Sequence, residues 1–364
     1  MINITALLEA LTENEGSDLH LKVGAPPIIR VDGKLIRLEG RPLTAEDTEM
    51  IAHSIMPADR RDALEKQNEA DFAHSVTGLG RFRVNVFRQR GSVTLILRRV
   101  RFGSATFEEL GLPAVIKDLS DAARGLILVT GPTGSGKTTT LGAMIQRINA
   151  TRPVHILTIE DPIEILHRDE MASVNQREIG VDTDNYVLAM RAAMREDPDV
   201  ILIGEMRDNE TVAAALAASE TGHLVLSTLH TTDAVETVNR VVDFFPPFQQ
   251  NQVRVALAST LRGVICQRLV QRVNGGRVPA LEIMVNNGRI ADRILDSETT
   301  SEITDIISEG AFYGMQSFDQ SLLGLVQAGA VTVEAAMGAC SKPHDFKLLL
   351  EQAGLTSPLG ASAT

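Results

Sequence analysis

One eight-residue stretch limits what this chain can fold into more than any other. Residues 131–138 read GPTGSGKT and match the phosphate-binding pattern G-x-x-x-x-G-K-[ST] at every fixed position. An apolar, β-rich run precedes the stretch at 125–130, and apolar residues at helical spacing follow it up to Ile148. Because such a loop must leave a strand and enter a helix before its N–H groups can converge on phosphate oxygens, the pattern predicts a nucleoside triphosphate site.

Each part of this loop has an expected contact with the nucleotide. The glycines let the backbone turn and approach the ligand, Lys137 is expected against the β- and γ-phosphates, and the Thr138 hydroxyl is expected to ligate Mg²⁺. The predicted nucleotide-binding residues are Gly131, Pro132, Thr133, Gly134, Ser135, Gly136, Lys137, Thr138 and Thr139. The alternative is a glycine-rich turn with an incidental lysine, against which both flanking patterns argue.

Composition excludes several other classes of protein. The 364 residues suffice for two or three domains, and a net charge of −12 argues against general nucleic-acid binding. No apolar run approaches the roughly 18 residues of a membrane span, and the first residues lack a signal-peptide pattern, which predicts a cytoplasmic protein. Cys266 and Cys340 are too isolated for a disulfide framework or a four-cysteine zinc site.

The order of predicted elements divides the chain into domains. Residues 1–100 alternate short helices with hairpin-forming strands, which predicts an α+β domain, and residues 101–113 are interpreted as a linker. Strands then alternate with helices over 114–352, which predicts an α/β domain with a mainly parallel sheet and a helical C-terminal part. Residues 353–364 are small and polar and are predicted to be a disordered tail.

Periodicity predicts the individual elements. One helix is predicted over about 45–66, and another from about Phe248 to Gln267 with strands after it. The strands of the α/β domain are predicted at 125–130, 155–160, 200–204 and 224–229. Ligands on such sheets bind beyond the carboxyl ends of the strands, so the residues that follow each strand are candidates for a site.

Carboxylates follow two of these predicted strands. The strand at 155–160 ends in the stretch EDPIE at 160–164, and the strand at 200–204 ends in the stretch GEMRD at 204–208. Glu164 and Glu205 lie in these stretches together with other carboxylates. The chemistry of a nucleotide site needs one carboxylate to hold Mg²⁺ and its waters and another to accept a proton from the attacking water. His230 follows the last strand, where a histidine beside the γ-phosphate can report nucleotide state; a hydrogen-bonded structural role is the alternative.

A basic cluster stands out from the acidic average. Between residues 81 and 101 the chain carries seven arginines and no acidic residue: Arg81, Arg83, Arg88, Arg90, Arg98, Arg99 and Arg101. Such a cluster requires an anionic partner or extensive solvation. A solvated strand face with salt bridges to another subunit is the alternative for several of them.

Four motifs in order resemble a known group of enzymes. Residues 131–138, 156–164, 194–208 and 221–231 resemble the Walker A motif, aspartate box, Walker B motif and histidine box of secretion-superfamily ATPases. Within that superfamily the chain resembles the retraction ATPases of type IV pili, because the segments SDLH and GAPP near the start and GMQSFD near the end are similar to theirs.

The resemblance implies a fold and a set of roles. It implies a PAS-like N-terminal domain followed by a RecA-like P-loop NTPase domain, with ATP and Mg²⁺ as ligands. Lys137 and Thr138 would hold phosphate and Mg²⁺, Glu164 would be the general base, and Glu205 would orient the metal and its water. In a homohexamer, Arg83 and Arg98 of one subunit would reach the γ-phosphate bound by the next.

The implied task is ATP-driven pilus retraction through an inner-membrane platform protein. The motor would lie on the cytoplasmic side of the pilus base, peripheral to the membrane. One stretch departs from the pattern, because residues 288–296 read GRIADRILD where retraction ATPases usually carry Ala-Ile-Arg-Asn-Leu before an acidic end. An accessory retraction ATPase, an extension ATPase and a non-hydrolysing ATP-binding scaffold therefore remain as alternatives.

Overall fold

The computed structural model describes residues 2–355 and falls into two compact units. The first unit comprises Met1–Phe102 together with Ile163–Leu166, and the second comprises Gly103–Pro162 together with His167–Thr364. The segment predicted as a linker carries a short helix of the second unit, which a capping box at Thr106 begins. The predicted tail lies, from residue 356 onward, outside the described residues.

The secondary structure is numbered in chain order. The strands are β1 Asp18–Leu21, β2 Ile28–Val31, β3 Lys34–Arg37, β4 Glu69–Val76, β5 Gly80–Gln89, β6 Ser92–Arg99, β7 Arg101–Phe102, β8 Gly125–Thr130, β9 His155–Glu160, β10 Ile165–Leu166, β11 Ser173–Glu178, β12 Val200–Ile203, β13 Leu224–Leu229, β14 Leu261–Gln271 and β15 Arg277–Val285. The α-helices are α1 Ile4–Glu13, α2 Ala45–Ile55, α3 Ala58–Gln67, α4 Phe107–Leu110, α5 Ala114–Ser120, α6 Lys137–Thr151, α7 Tyr186–Ala193, α8 Asn209–Glu220, α9 Ala234–Asp243, α10 Pro247–Thr260, α11 Gly288–Leu295, α12 Ile303–Glu309, α13 Phe318–Gln327, α14 Val333–Ala339 and α15 Pro343–Gln352.

The first unit is built on a six-stranded antiparallel sheet in the order β3-β2-β1-β6-β5-β4. Alternate residues of its strands are buried with α1 and α2 in one core, which includes Leu8, Ile51 and Phe82. The single helix predicted over 45–66 is wrong: α2 ends at Ile55, and α3 begins at Ala58. Pro57 disfavours helical backbone at the residue before it, and Met56 is extended.

A two-stranded parallel sheet also belongs to the first unit. It joins β7 to β10, with Arg101 opposite Ile165 and Phe102 opposite Leu166. Strand β10 follows Glu164 directly, in a segment that comes between strands of the second unit along the chain. No pattern in the sequence predicts this pairing.

The second unit is built on a seven-stranded sheet in the order β11-β9-β12-β13-β8-β14-β15. All neighbours are parallel except β14 and β15, which are antiparallel. Strands β8, β12 and β13 are buried at every residue, as expected for parallel strands covered on both faces. The predicted α/β fold with a mainly parallel sheet is confirmed, and β8, β9 and β13 have the predicted bounds.

The helix predicted from Phe248 to Gln267 is wrong in its second half. Helix α10 ends at Thr260, and the chain continues directly into β14. The residues that follow Thr260 include Val264 and Ile265, which are fully buried between β8 on one side and β15 on the other. An apolar run of this length fits a buried helix or a buried strand, and pairing with two neighbouring strands decides for the strand.

The C-terminal region is helical, as predicted. Its helices pack on the sheet through contacts such as that of Arg268 on β14, whose guanidinium lies 3.8 Å from the centre of the Phe318 ring. Arg268 also donates to the carbonyl of Ala339 (2.8 Å) and to the hydroxyl of Ser341 (3.2 Å). Across residues 2–355, no helix combines the length and apolar character needed to cross a bilayer.

The Glu282 carboxyl group is buried in the core of the second unit. Glu282 lies on β15 opposite Cys266 and accepts a hydrogen bond from the backbone N–H of Ala234, at the start of α9 (2.8 Å). Burial raises the pKa of Glu282 to about 7, and the nearby Asp233 carboxylate acts in the same direction. The native state therefore keeps this proton to a higher pH than the unfolded chain does.

We expect Glu282→Gln to stabilise the protein at alkaline pH. Because the native pKa is the higher one, unfolding becomes easier as pH rises from about 4.5 to about 7, by about 3 kcal/mol at most. The amide oxygen can still accept from Ala234, so the variant loses this penalty. Urea unfolding at about pH 5 and about pH 8 measures how the free energy of unfolding depends on pH in the wild type and the variant. Glu220→Gln, which changes an exposed carboxylate, is the control. An equal pH dependence in both variants would contradict the expectation.

Candidate active site

The predicted phosphate loop joins β8 to α6 in the second unit. Gly131, Gly134 and Gly136 have φ values of 141°, 79° and 91°, a region that side chains disfavour. A Cβ at position 131 would lie 2.3 Å from the carbonyl oxygen of Gln267, so the loop also needs glycine for close packing. Among residues 2–355 no side chain caps the N-terminus of α6, which leaves its first N–H groups available to an anion.

Lys137 is half-buried and turns back onto its own loop. Its Nζ donates to the carbonyls of Gly131 (2.7 Å) and Pro132 (3.1 Å). Burial lowers the pKa of Lys137, while the Glu205 carboxylate acts in the opposite direction. A phosphate group offers stronger, charged acceptors than these two carbonyls. A bound phosphate can therefore replace the carbonyls as the hydrogen-bond partner of the Lys137 ammonium group.

The hydroxyl groups of the loop differ in their surroundings. Thr138 and Thr139 are exposed at the start of α6. Ser135 Oγ is buried and has no hydrogen-bond partner in the described part of the chain, an unusual condition that a bound ligand would relieve. The loop and the start of α6 thus carry two exposed hydroxyl groups, of Thr138 and Thr139, and one buried hydroxyl without a partner, of Ser135.

The strand ends bring three of the predicted residues together. Glu205 follows β12, and its side chain is 18% exposed. His230 follows β13 and lies between Glu205 and Lys137: its Nε2 is 2.9 Å from Glu205 Oε1, and its Nδ1 is 3.5 Å from Lys137 Nζ. A neutral ring that donates from Nε2 presents Nδ1 as an acceptor to the lysine, so one tautomer satisfies both neighbours.

Arg207 completes this row, although the sequence patterns predict no role for it. Its Nε and Nη2 donate to Glu205 Oε2 at 2.9 and 2.8 Å, and its Nη1 lies 4.0 Å from Asp161 Oδ2. The arginine therefore links the carboxylates that follow β9 and β12. An arginine two residues after a strand-end glutamate is the signal that could have found it.

Residues 2–355 contain no cluster of three or more His, Cys, Asp or Glu side chains that could hold a metal. Mg²⁺ in nucleotide sites is usually bound through one or two protein oxygens and the phosphates, so the Thr138 hydroxyl and the Glu205 carboxylate fit such an ion. The row Lys137–His230–Glu205–Arg207 beside an uncapped helix N-terminus is suited to a triphosphate with its metal.

Glu164, Arg83 and Arg98 belong to the first unit. Glu164 is exposed immediately before β10. Arg83 on β5 and Arg98 on β6 are directly opposite each other in the sheet, and both are exposed. Arg98 Nε donates to Oδ1 of the buried Asp18 at 2.8 Å.

Asp18 holds one end of this arginine pair. Burial opposes ionisation of its carboxyl group, but hydrogen bonds from Arg98 and Ser17 outweigh that effect, so the pKa of Asp18 lies below its ordinary value. No ion pair of Arg83 is found with any other described residue. Two arginines opposite each other repel, and of this pair only Arg98 has a carboxylate partner among the described residues.

Gln267 is a second residue that sequence reasoning missed. It is 3% exposed on β14 and contacts the phosphate loop through its side-chain amide. The sequence pattern predicts it at the end of a helix, where nothing would direct it toward the loop. Only the pairing of Cys266 with Thr130, which places β14 beside β8, brings it there.

Comparisons with known proteins agree with this geometry. The chain is 45% identical to the type IV pilus retraction ATPase PilT of Pseudomonas aeruginosa, over 95% of this chain and 100% of that protein. It is 38% identical to the type IV pilus ATPase PilU of the same organism, over 95% and 90% of the two chains. A crystal structure of the pilus retraction motor PilT with bound ADP superimposes with a TM-score of 0.86 and 46% identity, covering 95% of this chain and 99% of that one.

The resemblance that the motifs indicated is thereby confirmed. The sequence profile of the family described as type II/IV secretion system protein matches residues 1–306. This range covers the first unit, the second unit as far as residue 306, and every strand-end residue named above. This chain belongs to the family of type II/IV secretion system proteins.

Proposed function

We propose that this protein is a motor ATPase that hydrolyses ATP to power retraction of type IV pili. The observation that carries the proposal is the row Lys137–His230–Glu205 at the mouth of the phosphate loop, with Lys137 2.7 Å from the Gly131 carbonyl and His230 2.9 Å from Glu205. The similarity to a pilus retraction ATPase over 95% of the chain supports the retraction task.

In this proposal each residue of the site has a separate task. Lys137 exchanges the carbonyls of Gly131 and Pro132 for the β- and γ-phosphates, while the N–H groups of the loop and of α6 bind the remaining oxygens. Thr138 would hold Mg²⁺ through its hydroxyl, and Glu205 would hold it through water. When bound, Mg²⁺ would offset the negative charge of the phosphates during transfer. His230 senses the γ-phosphate through its position between lysine and glutamate.

Glu164 is proposed as the general base. It is an exposed carboxylate four residues after the end of β9, in the short segment of the first unit that precedes β10. A base must reach the attacking water and accept its proton, and an exposed carboxylate is accessible for this. Its place in a segment paired with β7 connects it to the unit that also carries the arginines.

Arg83 and Arg98 are proposed to act across a subunit boundary in a homohexamer. The first unit would be the PAS-like domain, and its arginines would contact the γ-phosphate held by the second, RecA-like unit of the neighbouring subunit. The opposed pair Arg83 and Arg98 supports this, because only Arg98 is tied to a carboxylate among the described residues, that of Asp18. Guanidinium groups stabilise the charge on a transferring phosphoryl group.

The hexamer is proposed to act on the cytoplasmic side of the pilus base, peripheral to the membrane, on an inner-membrane platform protein. An accessory retraction ATPase is the second candidate, favoured by α11. That helix contains residues 288–295 of the departing stretch and buries Ile290 and Ile294, while Leu295 is 47% exposed. The stretch that departs from the pattern therefore has both buried and exposed residues, and it includes none of the residues named at the nucleotide site.

The proposal is tested by Mg²⁺-dependent ATP hydrolysis measured against protein concentration, with mass determined in parallel by light scattering. We expect turnover per subunit to rise as hexamers form, because the arginines complete the site of a neighbour. Arg83→Ala should lower the hexamer's turnover roughly a hundredfold and leave the low activity of dilute monomers unchanged. Arg37→Ala, an exposed arginine on β3, serves as the control.

ATP binding without hydrolysis in a homogeneous hexamer would contradict the proposed motor ATPase and favour the non-hydrolysing ATP-binding scaffold. An equal loss of turnover in monomer and hexamer of Arg83→Ala would contradict its action across the boundary. Restored twitching in a strain that lacks its retraction ATPase separates a principal motor from an accessory one, since an accessory ATPase would not act alone.

A further inference from the structure

The buried amide of Gln267 bridges two points of the phosphate loop. Its Nε2 donates to the carbonyl oxygen of Ser135 at 2.6 Å, and its Oε1 accepts from the hydroxyl of Thr140 at 2.7 Å. Ser135 lies within the loop, and Thr140 lies in the first turn of α6. One side chain on β14 thus ties the loop to α6, whose N-terminus lies at the proposed phosphate site.

The loop is also packed directly against this residue. A Cβ at Gly136 would lie 2.7 Å from Gln267 Nε2, and a Cβ at Gly131 would lie 2.3 Å from the Gln267 carbonyl oxygen. Two of the three loop glycines therefore make room for the same residue. The loop backbone therefore packs against Gln267 at both Gly131 and Gly136.

The hydrogen bond to Ser135 fixes the direction of a backbone N–H. In a trans peptide the carbonyl and the following N–H point in nearly opposite directions. Because the Ser135 carbonyl is directed at Gln267, the N–H of Gly136 is directed away from it. An N–H held in this way loses little freedom when a phosphate oxygen binds, which is the basis of preorganised anion binding.

Neither an ionised glutamate nor a leucine at position 267 would satisfy both Ser135 and Thr140. The site needs one donor and one acceptor at the end of a side chain of this length. An ionised glutamate would place a second acceptor against the Ser135 carbonyl, and leucine would leave both the carbonyl and the Thr140 hydroxyl without a partner.

We propose that Gln267 is the positioning residue of the nucleotide site, which holds the phosphate loop in its binding-competent form through Ser135 and Thr140. The inference rests on the proposed nucleotide site and extends it to a strand outside the sequence motifs. It does not require that the protein hydrolyse ATP.

The test measures ADP affinity of the full-length protein by calorimetry, for the wild type, Gln267→Leu and Gln267→Glu. We expect both variants to bind ADP roughly ten- to a hundredfold more weakly at neutral pH. Burial at this position and the facing Ser135 carbonyl disfavour the ionised form of the introduced carboxyl group. As pH falls toward about 5, this group therefore gains a proton and can donate to Ser135, so Gln267→Glu should recover affinity relative to wild type. Gln267→Leu should not recover.

Gln271→Leu is the matched control, since Gln271 lies exposed on the same strand. Thr140→Val, which removes one of the two hydrogen bonds at nearly constant volume, should give an intermediate loss, and it stands in for Gln267→Leu if that variant does not fold. Wild-type ADP affinity in a folded Gln267→Leu or Thr140→Val overturns the proposal. A wild-type protein that binds ADP but does not hydrolyse ATP would contradict the proposed motor ATPase. The comparison of ADP affinities between the wild type and the variants would still test the role of Gln267.

Discussion

Lys137→Ala is expected to abolish ATP hydrolysis and to weaken nucleotide binding as well. The lysine is half-buried beside the loop, and its Nζ lies within hydrogen-bond distance of the carbonyls of Gly131 and Pro132. Removing a preorganised charged donor from a phosphate site costs roughly a hundredfold or more in turnover. Because the lysine contacts phosphates that ADP also carries, part of the loss appears in binding.

The measurement is ADP and ATP-analogue affinity together with steady-state turnover. Lys347→Ala, which removes an exposed lysine of α15, is the control. A variant that binds ADP as tightly as the wild type would show that Lys137 contacts only the γ-phosphate or none. In Lys137→Ala, His230 loses the lysine as a neighbour. Its contact with Glu205, 2.9 Å in the wild type, does not involve the lysine.

Glu164→Gln is expected to remove turnover and to spare binding. An amide cannot take a proton from water, and loss of a general base costs about a thousandfold in turnover, or about 4 kcal/mol of activation free energy. Glutamine keeps the shape of the side chain, so nucleotide affinity should change little. The Mg²⁺ requirement should stay as in the wild type.

Glu205→Gln provides the comparison within the same assay. Glu205 is proposed to hold the metal through water, so its loss should raise the Mg²⁺ concentration needed for half-maximal turnover as well as lower the maximum. Glu170→Gln, an exposed carboxylate close along the chain, is the control. Retained turnover in Glu164→Gln would show that this residue is not the general base. An identical Mg²⁺ response in both variants would contradict the separate roles of Glu164 as base and Glu205 as the residue that holds the metal.

Much of the second unit is predictable from sequence because its strands are continuous apolar runs with abrupt ends. Strands β8 and β13 are buried at every residue; β8 begins at Gly125, and His230 follows β13, so composition alone marks them. Their carboxyl ends share one edge of the sheet, and for this reason the sequence pattern alone predicts that Lys137, Glu205 and His230 lie near one another.

The rest depends on contacts between residues far apart in the chain. Gln267 reaches the loop only because residues after Thr260 pair with β8, a choice between helix and strand that local pattern does not settle. The pair of Arg98 with Asp18 joins positions 80 residues apart through the register of β1 and β6. The parallel pairing of β7 with β10 has no local signal at all.

The alternation of side chains along β14 restricts where this chain can gain or lose residues. Gln267 faces the loop, and the next residue, Arg268, faces the Phe318 ring 3.8 Å away. An insertion of one residue between Gly263 and Gln267 would turn Cys266 toward the loop and Gln267 toward the C-terminal helices. An insertion at the turn around Gly275 and Gly276 would change neither. Length variation in this hairpin is therefore confined to its tip.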